Sequence, residues 1–414
     1  MRTKKRFVLA AVAGAMLVMG LASGCAAGKP PTSQPSKTEI MLGALTSTTG
    51  ANVADAAVQK WAYEQAVKDI NARGGVNVGG RKMTLRLVFE DDRGTADGAR
   101  AAMERLVKVD NVDLCLGSNV GAINEAAAAV ADEYGMFLAI GAGSVDLIRP
   151  HGFKMVAAIG PESRAVGRNP FEVWGTMPVV ERPTRIAVLT EDDADGRALA
   201  DDVDFLAQKY SAVGLHYTIV SRDVYSPGTK DYSANIEKIK LSGANALLWL
   251  GSQPDGIGLV RQIKAQRLSL KYLQGWNGFR DIQFARTLAR DADYIVHDGF
   301  WADVLPYPGG KELGDKFRAD HDGVDSVSIG LPYASVQVVA QAIERAGWYA
   351  SAQVRDEVRG ATFKGTVMGD LTFSGGGICV TPLLAMQWID GKRVPVWPPV
   401  PAYRLEWMRP WDRR

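Results

Sequence analysis

Residues 137–150 read FLAIGAGSVDLIRP. A short apolar strand runs into Gly141-Ala142-Gly143, then a serine and a polar turn before Pro150. A strand that ends in G-x-G and turns toward a helix begins a dinucleotide loop, presents a serine to another anion, or is a plain tight turn. The dinucleotide fingerprint needs a third glycine so that helix and strand can pack closely, and here that position is Asp146. An acid there also repels a pyrophosphate. The other glycine clusters do not replace it: GIG at 256–258 lies in a helical pattern and GGG at 375–377 in a hairpin pattern. The stretch reads instead as the carboxyl end of a strand, where open α/β sheets bind ligands. The Ser144 hydroxyl and the unpaired N–H groups of the following turn suit an anion. A serine that merely caps that turn is the alternative.

Outward from this stretch, strand and helix periods alternate. IMLGAL (40–45), the helical AAVQKWAYEQAVKDINARGG (56–75), MTLRLVFED (83–91), TADGARAAMERLVKVD (95–110) with Thr95 as a cap, VDLCLG (112–117) and AINEAAAAVADEYG (122–135) lead to MFLAIG. The pattern restarts at TRIAVLTED (184–192) and continues through HYTIVSRDVY, NALLWLG and KYLQGW, each followed or preceded by a helical segment. Two successive βα series predict an α/β protein of two similar, doubly wound parallel-sheet lobes. After residue 302 come further helices, IGLPYASVQVVAQAIERAG (329–347) among them; residues 365–394 then alternate apolar and polar around Gly and Asp-Gly turns, as hairpins do.

The N-terminus stands apart. Arg2, Lys4, Lys5 and Arg6 precede the uncharged VLAAVAGAMLVMGLASG, which ends at Cys25. This reads as a secretory signal over residues 1–24. LASGC resembles the bacterial lipobox, with Ala22 where that motif prefers leucine, and the resemblance makes Cys25 a lipidated first residue. An ordinary signal peptide or an uncleaved anchor are the alternatives. Residues 25–38, rich in proline, serine and lysine, form a flexible tether. The 414-residue chain is 47% hydrophobic, ample for a large core. Removing the leader takes four basic residues and leaves 44 basic against 46 acidic. A near-neutral body gives no electrostatic case for nucleic acid.

Catalytic patterns are absent. No G-x-S-x-G elbow exposes Ser144 as a nucleophile. His151, His216, His297 and His321 are scattered with no metal spacing. EDDADG (191–196) lacks the calcium-loop spacing and reads as a solvated loop capping a helix, with cation binding as its alternative. The expectation is a binding protein, with no cofactor or metal and no enzymatic activity. Cys115, inside VDLCLG, reads as a buried free thiol; pairing with Cys379 is the alternative.

The mature body, residues 39 to about 405, resembles the type I substrate-binding proteins of ABC transporters, in the branched-chain amino acid (Leu/Ile/Val) family. The resemblance is carried by GALTSTTG (43–50), AVKDINARGGVNVGGRKMTLRLVFEDDRG (66–94), LAIGAGSVDLIRP (138–150), IAVLTEDDADGRALADD (186–202) and YSPGTKDYSANIEKIK (225–240), in order and at near-uniform spacing. It implies two lobes, residues 39–157 plus 302–362 and 158–301 plus 363–407, joined by three crossing segments around one ligand cleft. It further implies a monomer that captures a small solute by closing its lobes and hands it to an ABC permease. A sensor that presents its closed state to a membrane receptor or kinase is the alternative.

The same resemblance places a ligand carboxylate at Gly121, where the family usually carries serine, with Ser118 and Asn119 nearby. Ala142 matches a backbone contact and Ser144 a hydroxyl contact. Ser252 and Gln253, in GSQPD, fall on an aromatic position of the family. Asn277, in QGWNGF, stands where amino-acid-binding members carry an acid that pairs with the ligand's ammonium. A neutral residue there makes a ligand without an ammonium group, such as an aliphatic or aromatic carboxylate or an amide, a serious variant. Asp55 either meets a cationic group from the other side or simply caps its helix. Trp276 and Trp301 are expected to line the pocket, with packing against the hinge as the alternative.

Overall fold

The computed structural model describes residues 37–50, 52–251 and 253–413. The expected leader, Cys25 and most of the tether lie outside the described residues. The body begins with β1 (Glu39–Thr46), α1 (Val53–Ala72), β2 (Val76–Val78), β3 (Arg81–Asp91), α2 (Ala96–Lys108), β4 (Leu114–Leu116), α3 (Gly121–Tyr134), β5 (Leu138–Ile140) and β6 (Val156–Gly160). A second series follows: α4 (Ala165–Gly175), β7 (Arg185–Glu191), α5 (Ala194–Ser211), β8 (Thr218–Tyr225), α6 (Ser233–Ser242), β9 (Ala246–Leu250), α7 (Gln253–Ala265), β10 (Tyr272–Gly275), α8 (Asn277–Arg280), α9 (Ile282–Leu288) and β11 (Val296–Gly299). The chain then adds α10 (Gly310–Asp320), α11 (Gly330–Ala346), α12 (Ser351–Val358), β12 (Thr362–Thr366), β13 (Gly369–Thr372), β14 (Ile378–Val380), β15 (Leu384–Ile389) and β16 (Lys392–Trp397).

Two seven-stranded sheets result, in the orders β14-β6-β5-β4-β1-β3-β2 and β16-β15-β11-β10-β9-β7-β8. The central strands of both are parallel; β2 pairs antiparallel with β3, and β15 runs antiparallel to both of its neighbours, β11 and β16. Strand periodicity explains why both faces are covered. In β1, Ile40, Leu42 and Ala44 enter one apolar layer, and Leu45 enters the layer on the opposite face. In β7, Ala187 and Leu189 face one layer while Ile186 and Val188 face the other. Thr95 caps α2 by accepting from Gly98 N–H at 3.0 Å, as its position predicts. Asp193 of the acidic EDDADG stretch caps α5 by accepting from Gly196 N–H at 2.7 Å.

The lobes differ from expectation at their C-terminal boundary. β14 pairs in parallel with β6, Cys379 opposite Ile159, and Phe363, Val367, Leu371 and Phe373 enter the same apolar layer as β1, so residues 363–380 pack with the first lobe and not the second. β12–β13 and β15–β16 are the hairpins that the alternating pattern predicts. The chain passes between the lobes at 161–164, 300–309 and 381–383. A small cluster of Ala302, Leu305 and Val327 packs the second of these segments against Leu384 and Met386 of β15. Asn169 of α4 ties the third to the second lobe, donating to Leu383 O at 2.9 Å and accepting from Gln274 Nε2 at 2.8 Å.

Cys115 and Cys379 are both free and buried. They stand on β4 and β14 with two strands between them, about 14 Å at the usual spacing, far beyond disulfide reach. Burial raises both thiols, Cys379 to about 11.

Candidate functional site

The carboxyl ends of β4 and β5 meet through glycine. Gly143 has φ +76°, and a Cβ added to it would lie 2.5 Å from Gly121 Cα; the reverse addition at Gly121 would lie 2.9 Å from Gly143 Cα. The two loops can approach this closely only where neither residue bears a side chain. This contact accounts for glycine at 121: Gly143 occupies the space that a larger side chain would need.

The contact brings two sources of hydrogen-bond donors together. Gly121 begins the 14-residue α3, whose N-cap, Val120, makes no side-chain cap bond. Such a helix start offers free N–H groups and a positive dipole end to an anion. Ser144 caps the short turn Val145–Leu147, accepting from Asp146 N–H at 3.1 Å, and it accepts again from the Ser163 hydroxyl at 2.8 Å. Both acceptor positions of the Ser144 hydroxyl are thereby used, and its own proton remains to donate. Ser144 is therefore a turn cap and also a donor in the wall of a cleft.

That cleft, about 540 Å³, is lined from the first lobe by Asp55, Gly121, Ala142 and Ser144 and from the second by Asn277 and Arg280. Five expected site residues thus share one cavity. Asn119 also lines the cleft and is half-buried, accepting from Ser47 N–H at 3.1 Å and donating to Asn52 O at 3.4 Å. Ser118 is fully buried and serves the loop: its N–H donates to Asn124 Oδ1 at 2.7 Å. Asp55 is exposed in the first turn of α1, where the helix dipole favours an acid, and α1's N-cap Asn52 makes no side-chain cap bond. Gln59, one turn further, is 4% exposed; its amide nitrogen donates to Gly117 O at 3.1 Å, and Oε1 has no partner among the described residues.

Other expectations resolve differently. Trp276 does not line the cleft: it is 2% exposed and packs with Phe171, Trp174 and Tyr272 in the second lobe's core. Trp301 is also buried, its indole donating to Val367 O at 2.9 Å. The aromatic wall of the cleft is Phe300, one residue earlier. Ser252 lies outside the described residues, as does the Gln253 side chain, although the Gln253 backbone begins α7. Nothing therefore places these two at the cleft.

Sequence reasoning missed Arg280. It closes the four-residue α8 that Asn277 opens, and Nη1 donates to Asp298 Oδ2 at 2.8 Å, with the guanidinium 5.2 Å from the Phe300 ring centre. Burial pushes the Asp298 carboxyl up, against the downward pull of Arg280. Neighbouring His297 is driven well below its usual range, first by burial and then by Arg393, so it is neutral. The only available signal was Arg280's spacing of three from Asn277, which puts both on one side of a helical turn.

The arrangement has donors for an anion on one wall, a neutral amide and a guanidinium on the other, and no group of three metal-ligating side chains among the described residues. A model of the periplasmic binding proteins matches residues 39–393. An amino acid binding protein of Pseudomonas aeruginosa is 30% identical over 360 residues, 85% of this chain and 91% of that one. Among solved structures, the branched-chain amino acid transporter substrate binding protein LivJ of Streptococcus pneumoniae, in complex with isoleucine, superposes with TM-score 0.70 at 20% identity, covering 86% of this chain and 97% of its own. A solute binding protein of an ABC transporter from R. palustris, in complex with benzoate, superposes with TM-score 0.67 at 15% identity, covering 86% and 95%.

Proposed function

This chain belongs to the periplasmic binding protein family, and on that premise we propose that it captures a small carboxylate-bearing solute in the cleft and delivers it to an ABC importer. It is a binding protein and not an enzyme, as are its relatives. The observation that carries the reading is the convergence of the uncapped start of α3 and the Ser144 hydroxyl on one wall, joined by the Gly121–Gly143 contact. Both offer donors, and a carboxylate is the common small-solute group that accepts several at once. The relatives bind isoleucine in one case and benzoate in another. The shared feature of those two ligands is the carboxylate, which supports placing it here.

The second lobe then closes over the solute through Asn277 and α8, moving about the three crossing segments. In the same reading Cys25 is lipidated and residues 26–38 tether the monomeric body to a membrane on its extracytoplasmic side. No described helix is long and apolar enough to cross a membrane. Asn277 offers an ordinary hydrogen bond in place of a carboxylate–ammonium pair, so an amino acid gains little from its ammonium on that side.

Titration calorimetry tests the reading with matched pairs: leucine and leucinamide, benzoate and benzamide, butyrate and butyramide. At least one carboxylate binds, and its amide binds about tenfold or more weaker, the loss expected for charge-assisted bonds. Equal binding of a carboxylate and its amide contradicts a carboxylate site. Mass spectrometry of the purified native protein checks the anchor: a diacylglycerol-sized addition on Cys25 is expected, and an unmodified cysteine contradicts it.

A further inference from the structure

Among the described residues of the cleft wall, Arg280 is the one cation and Asp55 the one anion. They stand on opposite lobes. Arg280 is not a mobile surface arginine: its side chain is 21% exposed, and its partner Asp298 on β11 is only 6% exposed. Three contacts fix it. Nη1 donates to Asp298 Oδ2 at 2.8 Å, the guanidinium lies over Phe300, and the Arg280 carbonyl accepts from Arg393 Nη2 at 2.7 Å. A guanidinium carries five N–H donors in a rigid plane, and a single bond to Asp298 leaves most of that fork for another acceptor.

The wall beside Asn277 is consequently hostile to an ammonium and suited to an acceptor. An ammonium there would meet a neutral amide and, one turn on, a cation. A carboxylate would meet an amide donor and a planar fork of matching geometry. Across the cleft, the α3 start and Ser144 already supply the site for a first carboxylate.

We propose that Arg280 is the specificity-determining residue of the cleft and receives a second carboxylate, so that the solute is a small dicarboxylate. Asp298 and Phe300 act as positioning residues that hold the guanidinium. The inference rests on the proposed carboxylate site and goes beyond it. Asp55, on the far wall, separates two members of the same class: it pairs with the ammonium of an acidic amino acid and gives nothing to a plain dicarboxylate.

The test is calorimetry on the full mature chain with succinate, glutarate, adipate and L-glutamate against butyrate, benzoate and leucine. The best dicarboxylate binds at least about tenfold tighter than any monocarboxylate. Tighter binding of L-glutamate than of glutarate assigns the ammonium to Asp55 and also supports the second carboxylate. Arg280→Gln weakens the dicarboxylate by about ten- to a hundredfold and changes a monocarboxylate by less than about threefold. Because Arg280→Gln strands the buried Asp298 carboxylate, the double variant Arg280→Gln/Asp298→Asn is measured beside it and shows the same selective loss. A monocarboxylate or leucine that binds as tightly as every dicarboxylate overturns the role of Arg280 and leaves the first carboxylate site standing. Unchanged dicarboxylate affinity in the double variant overturns it as well. Failure of every carboxylate to bind brings down both readings.

Discussion

Gly143 sits in left-handed backbone with its Cα against Gly121, and this one contact aligns the two loops that face the cleft. Gly143→Ala puts a methyl where Gly121 Cα stands and strains the backbone; we expect a loss of about 2 kcal/mol or more in urea denaturation together with weakened carboxylate binding. Ser144→Ala separates binding from folding. It removes a donor and a turn cap, so stability falls by about 1 kcal/mol or less, while carboxylate affinity in calorimetry falls about tenfold. Equal affinity in this variant would place the carboxylate elsewhere. Much of this wall was readable in GAGSVD, because a G-x-G at a strand end and an acid in place of the third glycine each carry a definite physical meaning. The opposite wall was not. Arg280 gains its role from Asp298 and Phe300, nearly twenty residues on, and only the packing of α8 beside β11 brings them together. Trp276 was misplaced because an aromatic residue type fixes size and apolarity but not the face it takes after a buried strand.

The βα alternation was legible throughout, since period-two strands buried on both faces and periodic helices leave different patterns. β14 shows where that reasoning stops. ICV after the glycine run at 375–377 reads as a strand, yet alternation names a face and not a neighbour, and β14 joins β6 from more than two hundred residues away. The link between α4 and the 381–383 crossing was equally hidden, as an asparagine inside a helix carries no mark of its partner. Asn169 is fully buried and bonds Leu383 O and Gln274. Asn169→Ala leaves both groups without it, and an unpaired buried amide costs about 1–3 kcal/mol. Denaturant midpoints check this, with the cleft donors untouched; an unchanged midpoint would mean that the network is idle.

Two sheets of like topology, crossed three times by the chain, form a body whose cleft walls come from different lobes. Each lobe has apolar layers on both faces of its own sheet, while a small cluster around Leu305 and Met386 packs at the crossings. Such a division lets the lobes move as units about short segments, and ligand free energy shared between the walls favours the closed arrangement. That closure over a carboxylate is the central claim. Small-angle X-ray scattering tests it most directly, comparing the chain alone with the chain saturated by the carboxylate that calorimetry selects. The radius of gyration falls on saturation, and Ser144→Ala at the same ligand concentration shows a smaller fall. A radius unchanged at full occupancy would contradict the account.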